Sequence, residues 1–208
     1  MRGNQRVTDA NPETKYDALQ QYVQRLGATL AAESERPNLP WTFRVVDDPT
    51  PNAFALPGGY IFVTRGILGL MRNESELASV LGHEIGHVTA RHSVSMISRA
   101  QLAQIGMVVG QIAFPEMGQL ANVAGAGLQL LFLNYGRDAE RQADDLGFRY
   151  AYQEGYDVTQ MADVFEALLR MGDQEDRSAL PSWLATHPGE EERIEAVRAR
   201  VAALPAAP

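Results

Sequence analysis

The 208-residue chain contains no cysteine, a single lysine (Lys15) and four histidines. Without thiols there is no disulfide framework, thiolate metal site or cysteine nucleophile, so any metal must be held by nitrogen and oxygen. The net charge is −8 with a pI near 5.0, and no run of five or more like charges occurs. That leaves no electrostatic footprint for phosphate backbones and argues against a nucleic-acid role. Long apolar runs are missing too. Ile105–Phe114 and Leu120–Leu133 fall short of the roughly 18 to 20 residues needed to cross a bilayer, with Pro115, Glu116 and Gly118 between them. They read as a helical hairpin inserted over 94–133, covering a site or resting on a membrane surface. The N-terminus lacks the apolar core of a signal peptide, so as written the chain stays where it is made, and residues 1–12 read as disordered.

What is present is enough for one domain over 1–208, with 45% hydrophobic residues. From Glu13 to about Glu33, apolar residues recur at threes and fours and predict a helix. Trp41–Val46, Ala53–Leu56 and Tyr60–Thr64 read as short strands, the last two forming a hairpin around Pro57, Gly58 and Gly59. Beyond Thr64 the pattern is helical: about Arg65–Met71, Glu74–His92, Val94–Ala113, Gly118–Leu133, Asp138–Glu154, Thr159–Met171 and Glu190–Ala203, with Ser178–Gly189 an ordered loop. The class is α+β, predominantly helical, with a small antiparallel sheet near the N-terminus.

Three of the four histidines fall in LGHEIGHVTARH, Leu81 to His92. His83 and His87 are four apart, one helical turn, so both imidazoles can reach one divalent cation. Glu84 sits beside that cation as a carboxylate able to take a proton from its water, the HExxH arrangement of a metallopeptidase. Zinc, one ion per chain, suits imidazole and carboxylate ligands. The bland alternative is a core helix whose histidines bond to backbone, and the apolar Leu77, Val80, Leu81, Ile85 and Val88 do place this helix in the core. Two buried imidazoles need partners, however, and a metal supplies one.

A third ligand is required. Ala90 and Ser93 stand where a metzincin would have glycine and histidine, which excludes that class. His92 lies about half a turn from His83 if the helix continues, and so reads as structural or exposed. In NYGRDAERQADDLG, Glu140 and Asp144 share one face, while Ala139, Ala143 and Gly147 are small enough to let that helix come close. Glu140 could bind the metal and Asp144 accept the free ring N–H of a ligating histidine. Alone, such a helix is more often a solvated charged face; the HEIGH segment tips the balance.

HExxH after ELASVLG, then RDAERQADDLG, then ATHPGEEERI, with NAFALPGGYIFVTRGIL upstream, closely resembles the zinc endopeptidases that include HtpX, BepA and the CAAX prenyl endopeptidases. The resemblance runs from about Asn52 to Val197. It implies a zincin-like peptidase domain in which His83, His87 and Glu140 hold zinc, Glu84 is the general base and Asp144 the supporting carboxylate. His187 matches a histidine near the open metal position, where it could donate to the oxyanion. Arg137 and Arg193 match basic positions and are salt-bridge partners or transition-state donors. With no adequate span, the chain looks more like the soluble BepA-type or mitochondrial Oma-type catalytic domains, and no helical repeats follow the peptidase domain before Pro208.

The function expected is a zinc endopeptidase acting on extended or misfolded protein, with substrate pairing along Ala53, Phe54, Ala55 and Leu56, in envelope quality control. Relatives without spans point to the bacterial periplasm, the export segment being removed or missing; the cytoplasm is the formal alternative. Two rivals are a non-catalytic, zinc-stabilised peptide-binding or chaperone-like protein and a latent peptidase blocked by His187 or the apolar hairpin.

Overall fold

The computed structural model describes residues 12–98, 135–174 and 182–205. The chain runs α1 (Pro12–Ala32), β1 (Thr42–Val46), β2 (Ala53–Leu56), β3 (Tyr60–Thr64), α2 (Arg65–Leu68), α3 (Glu74–Thr89), α4 (Arg137–Gln153), α5 (Gln160–Gln174), α6 (Ser182–Thr186) and α7 (Glu190–Ala202). The expected α+β, mainly helical class holds. Of the hairpin expected over 94–133, residues 94–98 are helical; the rest of it, and residues 1–11, lie outside the described residues. No helix among the described residues is long and apolar enough to cross a membrane.

The sheet is mixed rather than wholly antiparallel. β2 and β3 form the expected antiparallel hairpin, turning through Gly58 and Gly59 at φ of 98° and 99°, a region that glycine enters without strain. β1 instead pairs with β3 in parallel, giving the order β1-β3-β2. The loop after β1 carries the chain past one strand position, so β3 returns into the gap. That loop lies directly on the start of α2, where a Cβ on Gly66 would collide with the Pro49 carbonyl.

The two edges of the sheet differ. On the β1 side, the Gln20 amide donates to the Phe43 carbonyl (2.7 Å) and accepts from the Val45 N–H (2.9 Å), and Gln24 accepts from the Phe43 N–H (2.9 Å). Glutamines four apart on a helix rise by about 6 Å, close to the roughly 6.6 Å between alternate strand residues, so α1 stands in for a missing strand. On the β2 side, Asn52 accepts from the Thr64 N–H (2.9 Å). Antiparallel alternation then turns the backbone groups of Ala53 and Ala55 outward.

α1 and the sheet pack on α3 through Leu26, Leu30, Phe43, Ile61, Leu81 and Ile85, and α5 closes the other side with Met161, Phe165 and Leu168. Among the helices, α3 and α4 approach each other backbone to backbone. A Cβ on Gly86 would lie 2.7 Å from the Ala143 carbonyl oxygen, and one on Gly147 would lie 2.7 Å from the Gly82 carbonyl carbon. Gly82 meets Gly147 while Gly86 meets Ala143, so the helices run antiparallel, backbone against backbone. Ala143 and Gly147 were expected there; Gly82 and Gly86 complete the contact.

Several boundaries differ from the sequence pattern: α2 ends at Leu68 rather than Met71, and α5 runs on to Gln174 rather than stopping at Met171. Residues 182–186 form a short helix inside the expected loop, anchored by Trp183, which is fully buried. α3 stops at Thr89 rather than at His92.

Candidate metal centre

α3 starts cleanly because the Asn73 side chain accepts the Glu76 N–H at 3.0 Å, and it is buried continuously from Glu76 to Val88. Its His83 and His87 therefore have no water to turn to. The close crossing by α4 sets Glu140 and Asp144 against them, both buried as well. His187, at the end of α6, completes a group of four: one ligand atom each from His83, His87, Glu140 and His187 lies within 4.8 Å of all the others.

The separations are informative. His87 Nε2 is 2.9 Å from His83 Nε2, and His187 Nδ1 is 3.2 Å from His83 Nε2 and 3.1 Å from Glu140 Oε1. Each histidine of α3 is 3.4 Å from a Glu140 oxygen. Tetrahedral ligands about 2.1 Å from a zinc ion are about 3.4 Å apart, so these donors are spaced as such an ion would space them. Two imidazole nitrogens facing each other at 2.9 Å also need a proton or a cation between them.

The electrostatics agree. Burial and Arg193 pull His83 down, but hydrogen bonds to Asp144 and Glu140 outweigh them and push it up to about 9. Burial, with His83 beside it, holds His87 well below its ordinary value. Burial raises the Glu140 carboxyl, yet the adjacent histidines, His187 foremost, bring it below the usual carboxylate range.

Asp144 Oδ1 is 2.8 Å from His83 Nδ1, the expected supporting contact. Arg193, 2% exposed, clamps Asp144 with Nε and Nη2, both at 2.7 Å, and reaches Glu140 Oε2 with Nη1 at 3.0 Å. Its guanidinium lies 4.2 Å above the Phe165 ring. Burial raises the Asp144 carboxyl, but Arg193 outweighs it and holds the group below its ordinary value. Arg137 is not brought in: its side chain is 74% exposed, 3.9 Å from Glu192.

Glu84 is the outlier. It is fully buried, and neither oxygen has a hydrogen-bond partner among the described residues; His187 Nε2 stands 3.6 Å from Oε1. Burial raises its pKa. An unpaired buried carboxylate costs several kcal/mol, roughly, unless water or an ion belongs beside it. The donor set and this orphaned acid together fit a divalent metal with a water next to it.

Residues 17–201 match the family model described as Peptidase family M48. The chain belongs to peptidase family M48. The match takes in the whole cluster, from His83 to Arg193. Among M48-like relatives, the putative beta-barrel assembly-enhancing protease of Vibrio cholerae is 37% identical over 196 residues, covering 90% of this chain and 40% of that protein. The mitochondrial metalloendopeptidase OMA1 of Schizosaccharomyces pombe is 33% identical over 177 residues, 85% of this chain and 51% of its own. The beta-barrel assembly-enhancing protease of Escherichia coli (strain K12) is 30% identical over 190 residues, 88% of this chain and 39% of its own. The chain thus spans about two fifths to one half of these relatives' length.

Two residues of this M48 site, Trp183 and Tyr135, escaped the sequence reading, and His92 was read only as structural or exposed. Trp183 stacks on His187, ring centroids 4.1 Å apart, and Tyr135 stacks on His87 at 4.0 Å while its hydroxyl meets Ser93 Oγ at 2.8 Å. His92 Nδ1 contacts His87 Nδ1 at 2.9 Å. It is half-buried, not exposed, because α3 ends before the turn that would have carried it away. Aromatic residues flanking a motif carry no periodic signal, so only the tertiary structure reveals them.

Proposed function

We propose that this chain is the catalytic domain of a zinc endopeptidase. The observation that carries the reading is Glu84, a buried carboxylate with no hydrogen-bond partner among the described residues, beside four donors spaced for one ion. His83, His87 and Glu140 would hold zinc, which when bound makes a water acidic enough to ionise near neutral pH and polarises a carbonyl. Glu84, with its pKa raised by burial, is suited to accept a proton from that water and return it to the departing amine. Asp144 and Arg193 hold His83 and Glu140 in place.

Extended peptide would add to the sheet at β2. β2 is the sheet edge beside α3; Ala53 and Ala55 are buried there, so a pairing peptide would have to displace Ser93 Oγ, which reaches the Ala55 carbonyl at 3.4 Å. Main-chain pairing demands little sequence, which suits unfolded protein as substrate. The beta-barrel assembly named in two relatives supports a bacterial envelope setting, with the periplasm as the compartment.

A second reading concerns the resting state. With His187 Nδ1 among the donors, four protein ligands surround the metal position, the closed form of a site that needs an opening for catalysis. The described conformation is then latent, and movement of α6 with His187 would open it.

Glu84→Gln tests the main reading. Elemental analysis should find zinc at one per chain in both proteins, while casein cleavage falls by at least roughly a hundredfold in the variant. Cleavage at the wild-type rate would overturn the role of Glu84; a wild-type protein that binds zinc but cleaves nothing, even with His187 replaced, would favour the peptide-binding rival.

A further inference from the structure

His83 and His87 are backed by different chemistry. Behind His83 stands a carboxylate, Asp144. Behind His87 stands another imidazole. α3 is capped by Ala90, whose N–H bonds to the Gly86 carbonyl at 2.9 Å, and Arg91 then turns through φ 59°, a left-handed conformation that non-glycine residues adopt only at a cost of roughly 1 kcal/mol. That reversal brings His92 back under His87. The ring centroids are 4.9 Å apart and the rings lie at 73° to each other, a spacing compatible with an N–H···N bond between the two Nδ1 atoms at 2.9 Å. On its far side, His92 Nε2 lies 3.0 Å from Gln142 Oε1, on α4.

The protons in this chain can be placed. With the Gln142 oxygen toward the ring, His92 carries its proton on Nε2 and offers a lone pair at Nδ1. His87 must then donate from Nδ1, and its Nε2 is left as the lone pair facing His83 and Glu140. The reversed arrangement would put a proton on His87 Nε2, where it would block a ligand. Only the first order is compatible with metal binding through His87 Nε2.

We propose that His92 is a positioning residue for the metal centre: held by Gln142, it accepts the Nδ1–H of His87 and fixes the tautomer that presents Nε2. The inference rests on the zinc reading above. It assigns a role to the turn at Arg91 and links the end of α3 to α4 a second time, independently of Glu140 and Asp144.

The test compares the full chain with His92→Phe, which keeps a ring but no acceptor, and Gln142→Leu, which leaves His92 itself in place. Zinc affinity, read by competition with a chromogenic chelator, should fall by about 10- to 100-fold in His92→Phe and by about 3- to 10-fold in Gln142→Leu. In the metal-free protein, the imidazole nitrogen shifts of His87 should report the Nδ1–H form in the wild type and a mixture in His92→Phe. His92→Asn, which restores an acceptor oxygen, should recover part of the affinity. Wild-type zinc affinity in both Phe and Leu variants, or a His87 tautomer unchanged by them, would overturn the proposal. A wild-type protein that takes up no zinc would sink the zinc reading instead, while the tautomer measurement still decides the part played by His92.

Discussion

Arg193 meets Asp144 with two nitrogens, whereas Glu84 in the same buried cluster accepts no hydrogen bond from the described residues. The first is a buried charge matched by carboxylates on both sides. The second has been left unsatisfied at a cost to stability, the pattern of a group reserved for chemistry. His187 stands between these cases, with Nδ1 in the donor set and Nε2 toward Glu84. His187→Ala is expected to raise peptide cleavage severalfold, about 3- to 10-fold, at saturating zinc, because it opens a ligand position; initial rates on a fluorogenic peptide check this. A fall in rate would assign His187 to the oxyanion instead. At this scale the sequence was most legible where helical spacing alone sets the neighbours, as for His83 with His87 and Glu140 with Asp144. It was least legible at His92, because nothing in Ala90-Arg91 announces a left-handed turn at an arginine.

Among the elements, the α3–α4 crossing matters most to the site. Glycine at 82, 86 and 147 lets the two backbones touch, and only at that distance can Glu140 reach His83 and His87. Gly147→Ala places a methyl against the Gly82 carbonyl carbon and the His83 nitrogen, each 2.7 Å away. It should destabilise the fold by about 1–3 kcal/mol through overpacking and weaken zinc binding by prising Glu140 away. Thermal melts and chelator competition measure the two effects, and a variant with unchanged affinity would show that the crossing does not set the ligand distance. The strands themselves were plain from their alternating and β-branched composition, and the hairpin from Pro57-Gly58-Gly59. The parallel pairing of β1 with β3 was not, because periodicity identifies a strand without naming its neighbour.

For the molecule as a whole, the buried cluster holds three carboxylates, Glu84, Glu140 and Asp144, against one guanidinium, Arg193. A divalent cation would bring that sum to zero. Removing it should therefore be felt by the entire fold: treatment with a strong chelator is expected to lower the melting temperature by roughly 5–10 °C, corresponding to about 2.7 kcal/mol at free zinc a hundredfold above its dissociation constant. One equivalent of zinc should restore it, and a melt indifferent to chelation would mean that the cluster is held without metal. The glutamines of α1 have a consequence on this scale as well. By occupying the β1 edge of the sheet, Gln20 and Gln24 would make the proposed strand addition monovalent: a strand pairing at β2 would have no counterpart at β1. Two copies meeting edge to edge would stop at a pair, so strand addition of the proposed kind would offer no route to an endless fibre.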